Sequence, residues 1–196
     1  MKVTVSNDKP IRSFIALDLP EGLKKEIETL LFSLKKCGAD VKWVHPANLH
    51  LTLKFLGDVT PDRLPLVKER LTAVAARQKP FFIHCAGLGG FPDLERPRVL
   101  WVGADQGESE LKTLAASVEA EMSGIGFAKE ERDFSAHLTL GRVKGNKDLV
   151  NLVREIKRLS FVSAEKAPMD HLTLYKSILA GGGPVYELIE TFPFRS

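Results

Sequence analysis

Apolar and polar residues recur along this chain in two periods, one suited to strands and one to helices, and the two periods keep exchanging. Residues 14–19 are a compact apolar run and read as a strand. Over residues 21–36, Leu23, Ile27, Leu30, Leu31 and Leu34 fall on one stripe opposed by lysines and glutamates, which predicts an amphipathic helix. Residues 41–44 predict a short strand, and a further strand runs from His50 to near Gly57. Thr60-Pro61 supplies a capping hydroxyl and a first-turn proline, and Leu64, Val67, Leu71 and Val74 continue that helix. Residues 81–86 are strand-like, and 87–97, GLGGFPDLERP, predict a loop.

After that loop the order begins again. Residues 99–102 predict a strand, and Leu111, Leu114, Val118 and Met122 stripe a helix that should stop at Gly124. A strand from His137, a helix over 148–159 and a strand from His171 follow. The tetrapeptide HLTL begins at each of these two histidines and also at His50. An offset of 87 residues carries His50 to His137, Ile15 to Val102, Asp18 to Asp105 and His84 to His171. The chain therefore reads as two copies of strand–helix–strand–helix–strand, with repeat halves at about 11–97 and 98–196 and a polar leader at 1–10. On that offset His50 and His137 are equivalent, and His171 is the mate of His84.

Residues two apart on a strand share a face. In the first motif Leu49, Leu51 and Leu53 take one face while His50, Thr52 and Lys54 take the other. In the second, Ala136, Leu138 and Leu140 point to the core and leave His137 and Thr139 opposite. The leucines pin the register, because a one-residue slip would bury histidine and expose leucine. Two such faces opposed about a pseudo-twofold axis suit a phosphodiester. A neutral histidine can take a proton from the attacking oxygen, and a protonated one can give a proton to the leaving oxygen. The threonine hydroxyls can donate to the non-bridging oxygens. A single H-x-T pair reads more simply as the polar face of an amphipathic strand; two at matching repeat positions point to chemistry. The spacing offers neither H-x-x-x-H nor a nearby Cys or carboxylate set, so no metal site and no cofactor are expected.

Composition narrows the field without deciding it. Hydrophobic content of 44% with 27% charged residues is ordinary for a folded domain, and 196 residues can bury a sizeable core. The net charge of +3 allows a phosphate-bearing substrate but marks no duplex-binding surface. Cys37 and Cys85 form no C-x-x-C motif and are expected to be buried and structural in a reducing compartment. With no apolar leader and no span of membrane length, a cytoplasmic protein is expected, with no membrane partner.

At these residues the chain resembles the two-histidine (2H) phosphoesterase superfamily, whose hallmark is a pair of H-x-[ST]-x motifs. More closely it resembles the bacterial and archaeal RNA 2′,3′-cyclic phosphodiesterases, also called 2′-5′ RNA ligases. The likeness runs from Arg12 onward through RSFIALDLP, WVHPANLHLTLKFLGDV, GGFPDLERPRVLWVG, FSAHLTLGRVK and LTLYKSIL followed by GPVYELI. It implies a bilobal α+β fold with two pseudo-twofold-related antiparallel sheets lining a central cleft and helices outside. It implies metal-independent opening of 2′,3′-cyclic phosphate RNA ends, single-stranded or tRNA-derived, to 2′-phosphomonoesters, with 2′-5′ ligation as the reverse reaction. By motif position His50 is then the proton donor, His137 the proton acceptor, and Thr52 and Thr139 hold the phosphate. No obligatory protein partner is implied, and a monomer is expected.

Three further residues are candidate substrate contacts. Lys54 shares the His50 face, Arg142 needs a bend near Gly141 to reach the cleft, and Tyr175 could stack on a base. His171 is assigned to a rim or structural role, and His45 to none. Two other readings stay open: a 2H enzyme for small cyclic phosphates or 2′-5′ oligonucleotides, and a non-catalytic RNA-end binder.

Overall fold

The computed structural model describes residues 9–181 and 183–195, so most of the expected leader lies outside the described residues. The elements in chain order are β1 (Ile11–Asp18), α1 (Glu21–Lys35), β2 (Val41–Trp43), β3 (His50–Val59), α2 (Leu64–Ala75), β4 (Phe81–Phe91), β5 (Val99–Gln106), α3 (Glu108–Gly124), β6 (His137–Val143), α4 (Leu149–Arg158), β7 (Ala167–Met169), β8 (His171–Ala180) and β9 (Gly183–Pro193). They form an α+β fold with two antiparallel sheets, ordered β3-β1-β8-β9 and β2-β6-β5-β4-β7. The helices bury the predicted stripes: Leu23, Ile27, Leu30, Leu31 and Leu34 in α1, and Leu111, Leu114, Val118 and Met122 in α3. These side chains join one continuous core with the leucines of all three HLTL strands. Among the described residues no helix is long and apolar enough to cross a membrane.

Each sheet draws on both repeats. β8, from the end of the second repeat, pairs with β1, and β4, from the end of the first, pairs with β5. The strand exchange ties the two lobes together through the backbone ladder as well as through side chains.

The register corrects the single 87-residue offset. His50 pairs with Asp18 and Thr52 with Ala16, whereas His137 pairs with Gly103 and Thr139 with Trp101. The motif strands are 87 residues apart, but the first strands correspond at 85, Asp18 with Gly103. The two extra residues lie in the strand-to-helix connection, since α1 begins three residues after Asp18 and α3 begins five after Gly103. On the last strands, Tyr175 lies against Phe14 and Phe91 against Val99, the counterpart of Phe14, which is an offset of 84. Asp105 is therefore not the mate of Asp18, and His84 is not the mate of His171.

Three local expectations also change. Thr60 makes no side-chain cap; a 3-10 turn at Pro61–Arg63 precedes α2. The predicted loop is strand through Phe91, because Gly89 and Gly90 leave room for neighbours: a Cβ on Gly89 would collide with the Trp101 indole. Cys85 is buried, and burial pushes its thiol up to about 12, while Cys37 is only half-buried.

Candidate active site

The first two HLTL strands meet where the sheets meet, with β3 packed against β6. Leu49, Leu51 and Leu53 are buried behind the first motif, as are Ala136, Leu138 and Leu140 behind the second. His50, Thr52, His137 and Thr139 are each half-buried on the opposite face.

Both imidazoles are held the same way. His50 Nδ1 lies 2.7 Å from the carbonyl oxygen of Asn48, and His137 Nδ1 lies 2.8 Å from that of Ser135. A carbonyl can only accept, so each Nδ1 carries the proton and each Nε2 is left for chemistry. The Thr52 hydroxyl is 2.9 Å from His50 Nε2 and donates to it when the ring is neutral. Burial pushes the His50 pKa down, opposed by the Asn48 hydrogen bond and by the charge of Asp18.

Aromatic rings frame the two histidines differently. Phe14 lies 4.8 Å from the His50 ring and Tyr186 meets it edge-on at 5.2 Å. Phe91 meets His137 edge-on at 5.0 Å and packs on Trp101 at 5.3 Å.

The same face carries a polar cluster. The Asp18 carboxylate accepts from Thr173 Oγ1 at 2.8 Å, Tyr175 Oη at 2.5 Å and His171 Nε2 at 3.2 Å. Burial alone would raise the Asp18 pKa, but these donors bring it to about 2. The Asp18 and Asp170 carboxylates hold His171 up at about 9 against its partial burial. His171 is therefore a cation bound to two carboxylates, and Tyr175 is tied at its hydroxyl and stacked on Phe14 at 5.3 Å. Burial and Asp18 together push the Tyr175 phenol up. His84 makes a separate pair with Asp105 at 2.7 Å and reaches the Ser163 carbonyl, while His45 accepts from the Ala47 amide in its turn.

Two bulges decide the remaining candidates. The ladder skips Leu53 in β3 and Leu140 in β6, so the alternation of faces reverses after each motif. Lys54 is consequently turned away from the cleft. It is 5% exposed and donates to Glu119 of α3 at 2.6 Å and to the Ala128 carbonyl at 2.8 Å. The same reversal returns Arg142 to the His137 face, where it is exposed. Its charge, with that of Arg12, pulls down the Tyr186 phenol that burial pushes up. Phe14, Tyr186 and Phe91 are the site neighbours that the strand patterns did not predict. Tyr186 lies on β9, whose mixed pattern gave no strand signal, and Phe91 lies in the segment expected to be a loop.

Two opposed H-x-T strands on a duplicated α+β fold, each presenting Nε2 of a carbonyl-anchored imidazole, define a two-histidine phosphoesterase. The chain matches the family model described as LigT like phosphoesterase twice, over residues 17–101 and 102–186. It belongs to that family. Two proteins named RNA 2′,3′-cyclic phosphodiesterase are similar over nearly their full lengths. The one from Archaeoglobus fulgidus is 38% identical over 93% of this chain and 99% of its own. The one from Methanothermobacter thermautotrophicus is 36% identical over 93% and 98%. Among solved structures, a Thermus thermophilus protein superposes with a TM-score of 0.80 at 26% identity, covering 94% of this chain and 98% of its own. E. coli LigT complexed with 3′-AMP does so at 0.73 and 25%, covering 96% and 100%.

Proposed function

We propose that this protein is an RNA 2′,3′-cyclic phosphodiesterase in which His50 and His137 act as the acid–base pair. The observation that carries the reading is the shared anchoring of both imidazoles, which leaves one reactive nitrogen on each side of the strand junction. Water attacks phosphorus while His137 Nε2 accepts its proton. The bond to the 3′-oxygen breaks and His50 Nε2 supplies the proton that oxygen needs, leaving a 2′-phosphomonoester. Thr52 and Thr139 donate to the non-bridging oxygens as charge builds on them. A phosphodiester anion beside His50 counteracts the depression caused by burial and favours its imidazolium, and Asp18 acts in the same sense. Arg142 faces the same cleft and adds positive charge near the phosphate. His171 stays outside the chemistry, since both its nitrogens are committed to carboxylates.

The test is turnover of an RNA oligonucleotide ending in a 2′,3′-cyclic phosphate, with the product read by phosphorus NMR. A 2′-phosphate is expected, and His50→Ala and His137→Ala should each lower kcat by about 10²–10⁴-fold. A 3′-phosphate product would reverse the leaving-group assignment, and full activity in either variant would remove the two-histidine mechanism.

A further inference from the structure

The two imidazoles are anchored alike, but the residues that anchor them are held differently. Asn48 and Ser135 occupy the same place, two residues before each histidine. Ser135 is exposed, and its side chain makes no hydrogen bond among the described residues. Asn48 is half-buried at the end of a single 3-10 turn, Pro46–Asn48, and its Nδ2 donates to the Pro184 carbonyl of β9 at 2.8 Å. Among the described residues this is the one hydrogen bond that ties residues 45–48 to a distant part of the chain; the others close the turn on itself. Asn48 leads into β3, and β3 and β9 are opposite edges of one sheet, so the bond joins the two edges. The same end of β9 also reaches β2, where a Cβ on Gly183 would lie 3.5 Å from Lys42 Cε. Tyr186, next but one after Pro184, meets the His50 ring edge-on at 5.2 Å. β9 thus holds His50 from two directions, by a ring against the imidazole and by a carbonyl that secures the residue bonded to Nδ1.

We propose that Asn48 is a positioning residue for His50, acting on the tautomer and direction of the ring through its bond to Pro184; the inference rests on the phosphodiesterase reading above. A lone 3-10 turn is weakly held by its own hydrogen bonds, so a tie from outside decides where its last carbonyl points. That carbonyl can only accept, and it keeps a proton on His50 Nδ1. The Thr52 hydroxyl at Nε2 can donate or accept, so it fits either tautomer and selects neither. In the imidazolium the Asn48 carbonyl sets the direction of the Nε2–H bond. Once that proton passes to the 3′-oxygen, the ring is left in the Nδ1-protonated tautomer. The unequal anchoring matches the unequal work of the two rings. The leaving oxygen is fixed to the ribose, so its proton donor must be aimed, whereas a water molecule can turn to meet its base.

Nitrogen NMR shifts of the imidazoles read the tautomer without substrate. Above the titration range of His50, wild-type protein should show a protonated Nδ1 and a bare Nε2 at both His50 and His137. Asn48→Leu keeps much of the side-chain shape without the donor, and Asn48→Ala removes both. In each variant the two His50 nitrogen shifts should move toward one another as the tautomers mix, while those of His137 stay in place. On a dinucleotide ending in a 2′,3′-cyclic phosphate, kcat should fall about 10–100-fold at nearly unchanged KM. A His50 ring that stays wholly Nδ1-protonated in both variants overturns the inference, as does a raised KM at constant kcat. Equal changes at both histidines also overturn it, because a general loosening would reach both. If the shifts respond as expected but the wild-type protein turns over no cyclic phosphate, the phosphodiesterase reading fails and the positioning of His50 by Asn48 stands.

Discussion

Asp18 lies directly across from His50 in the antiparallel β1–β3 pair, and Gly103 takes that place across from His137. The two histidines share a motif, a tautomer and a strand position but differ in their charge surroundings. The Asp18 carboxylate favours an imidazolium at His50, against the burial that pushes its pKa down. Nothing comparable can come from a glycine. Burial is the larger effect and the His50 pKa is lowered on balance, so Asp18 limits that depression and the assignment of His50 as the acid rests on motif order.

Replacing Asp18 with Asn tests that assignment through the pH–rate profile. The acid must be protonated, so activity declines as pH rises through the His50 pKa. Loss of the carboxylate lowers that pKa and should move the alkaline limb of kcat/KM to lower pH by about one unit. The acidic limb, set by the base His137, should stay in place. Movement of the acidic limb instead would exchange the two roles.

The same carboxylate links His171 to stability. The folded-state pKa of His171 is raised from 6.5 to about 9, so its contribution is complete below pH 6.5 and is lost as pH rises through 9. Asp18 is lowered from 3.8 to about 2, so its contribution is complete above pH 3.8 and is lost as pH falls through 2. Between 3.8 and 6.5 both are in force. Melting temperatures of His171→Gln and wild type should differ most near pH 6 and converge by about pH 10. A difference that persists undiminished at that alkaline end would mean that packing, not charge, is what His171 supplies.

Lys54 should behave as a structural residue. Its ammonium bonds Glu119 on α3 and the Ala128 carbonyl on the segment that leads toward His137. Its side chain is 4% exposed, so removing it strands a carboxylate that is only 26% exposed. Lys54→Met should cost about 3 kcal/mol in urea unfolding, and Lys54→Met combined with Glu119→Leu should recover much of that. A raised KM with unchanged stability would instead return Lys54 to the substrate.

The pattern of Lys54 and Arg142 shows what a single sequence can reveal. Within each HLTL tetrapeptide the alternation is strict, and the faces of His50, Thr52, His137 and Thr139 follow directly from it. Beyond the fourth residue, the face depends on whether the pairing with the neighbouring strand skips a residue, which is a property of the pair and leaves no mark in either strand alone. The pairing of His171 with His84 failed for a similar reason. A single offset matched letters, while connections of unequal length leave the first strands 85 residues apart and the last 84. The exchange of β4 and β8 between sheets was equally hidden, because strand order is decided by tertiary packing. The helical stripes were legible because their period is local.

Arg142 returns to the His137 face only because of the bulge at Leu140, and its guanidinium is near enough to influence Tyr186 beside His50. A cation so placed should bind negative charge that develops across the cleft, with little part in folding, since the side chain is exposed. Charge-assisted hydrogen bonds from guanidinium to phosphate are stronger and more directional than those from an ammonium. Arg142→Ala should therefore reduce kcat/KM for a cyclic-phosphate RNA end about 10–100-fold with an unchanged melting temperature. Arg142→Lys should recover only part of that loss, because the charge is kept while the planar fork is not. A fall in melting temperature without a kinetic defect would place Arg142 in a surface ion pair and leave the threonines as the phosphate donors.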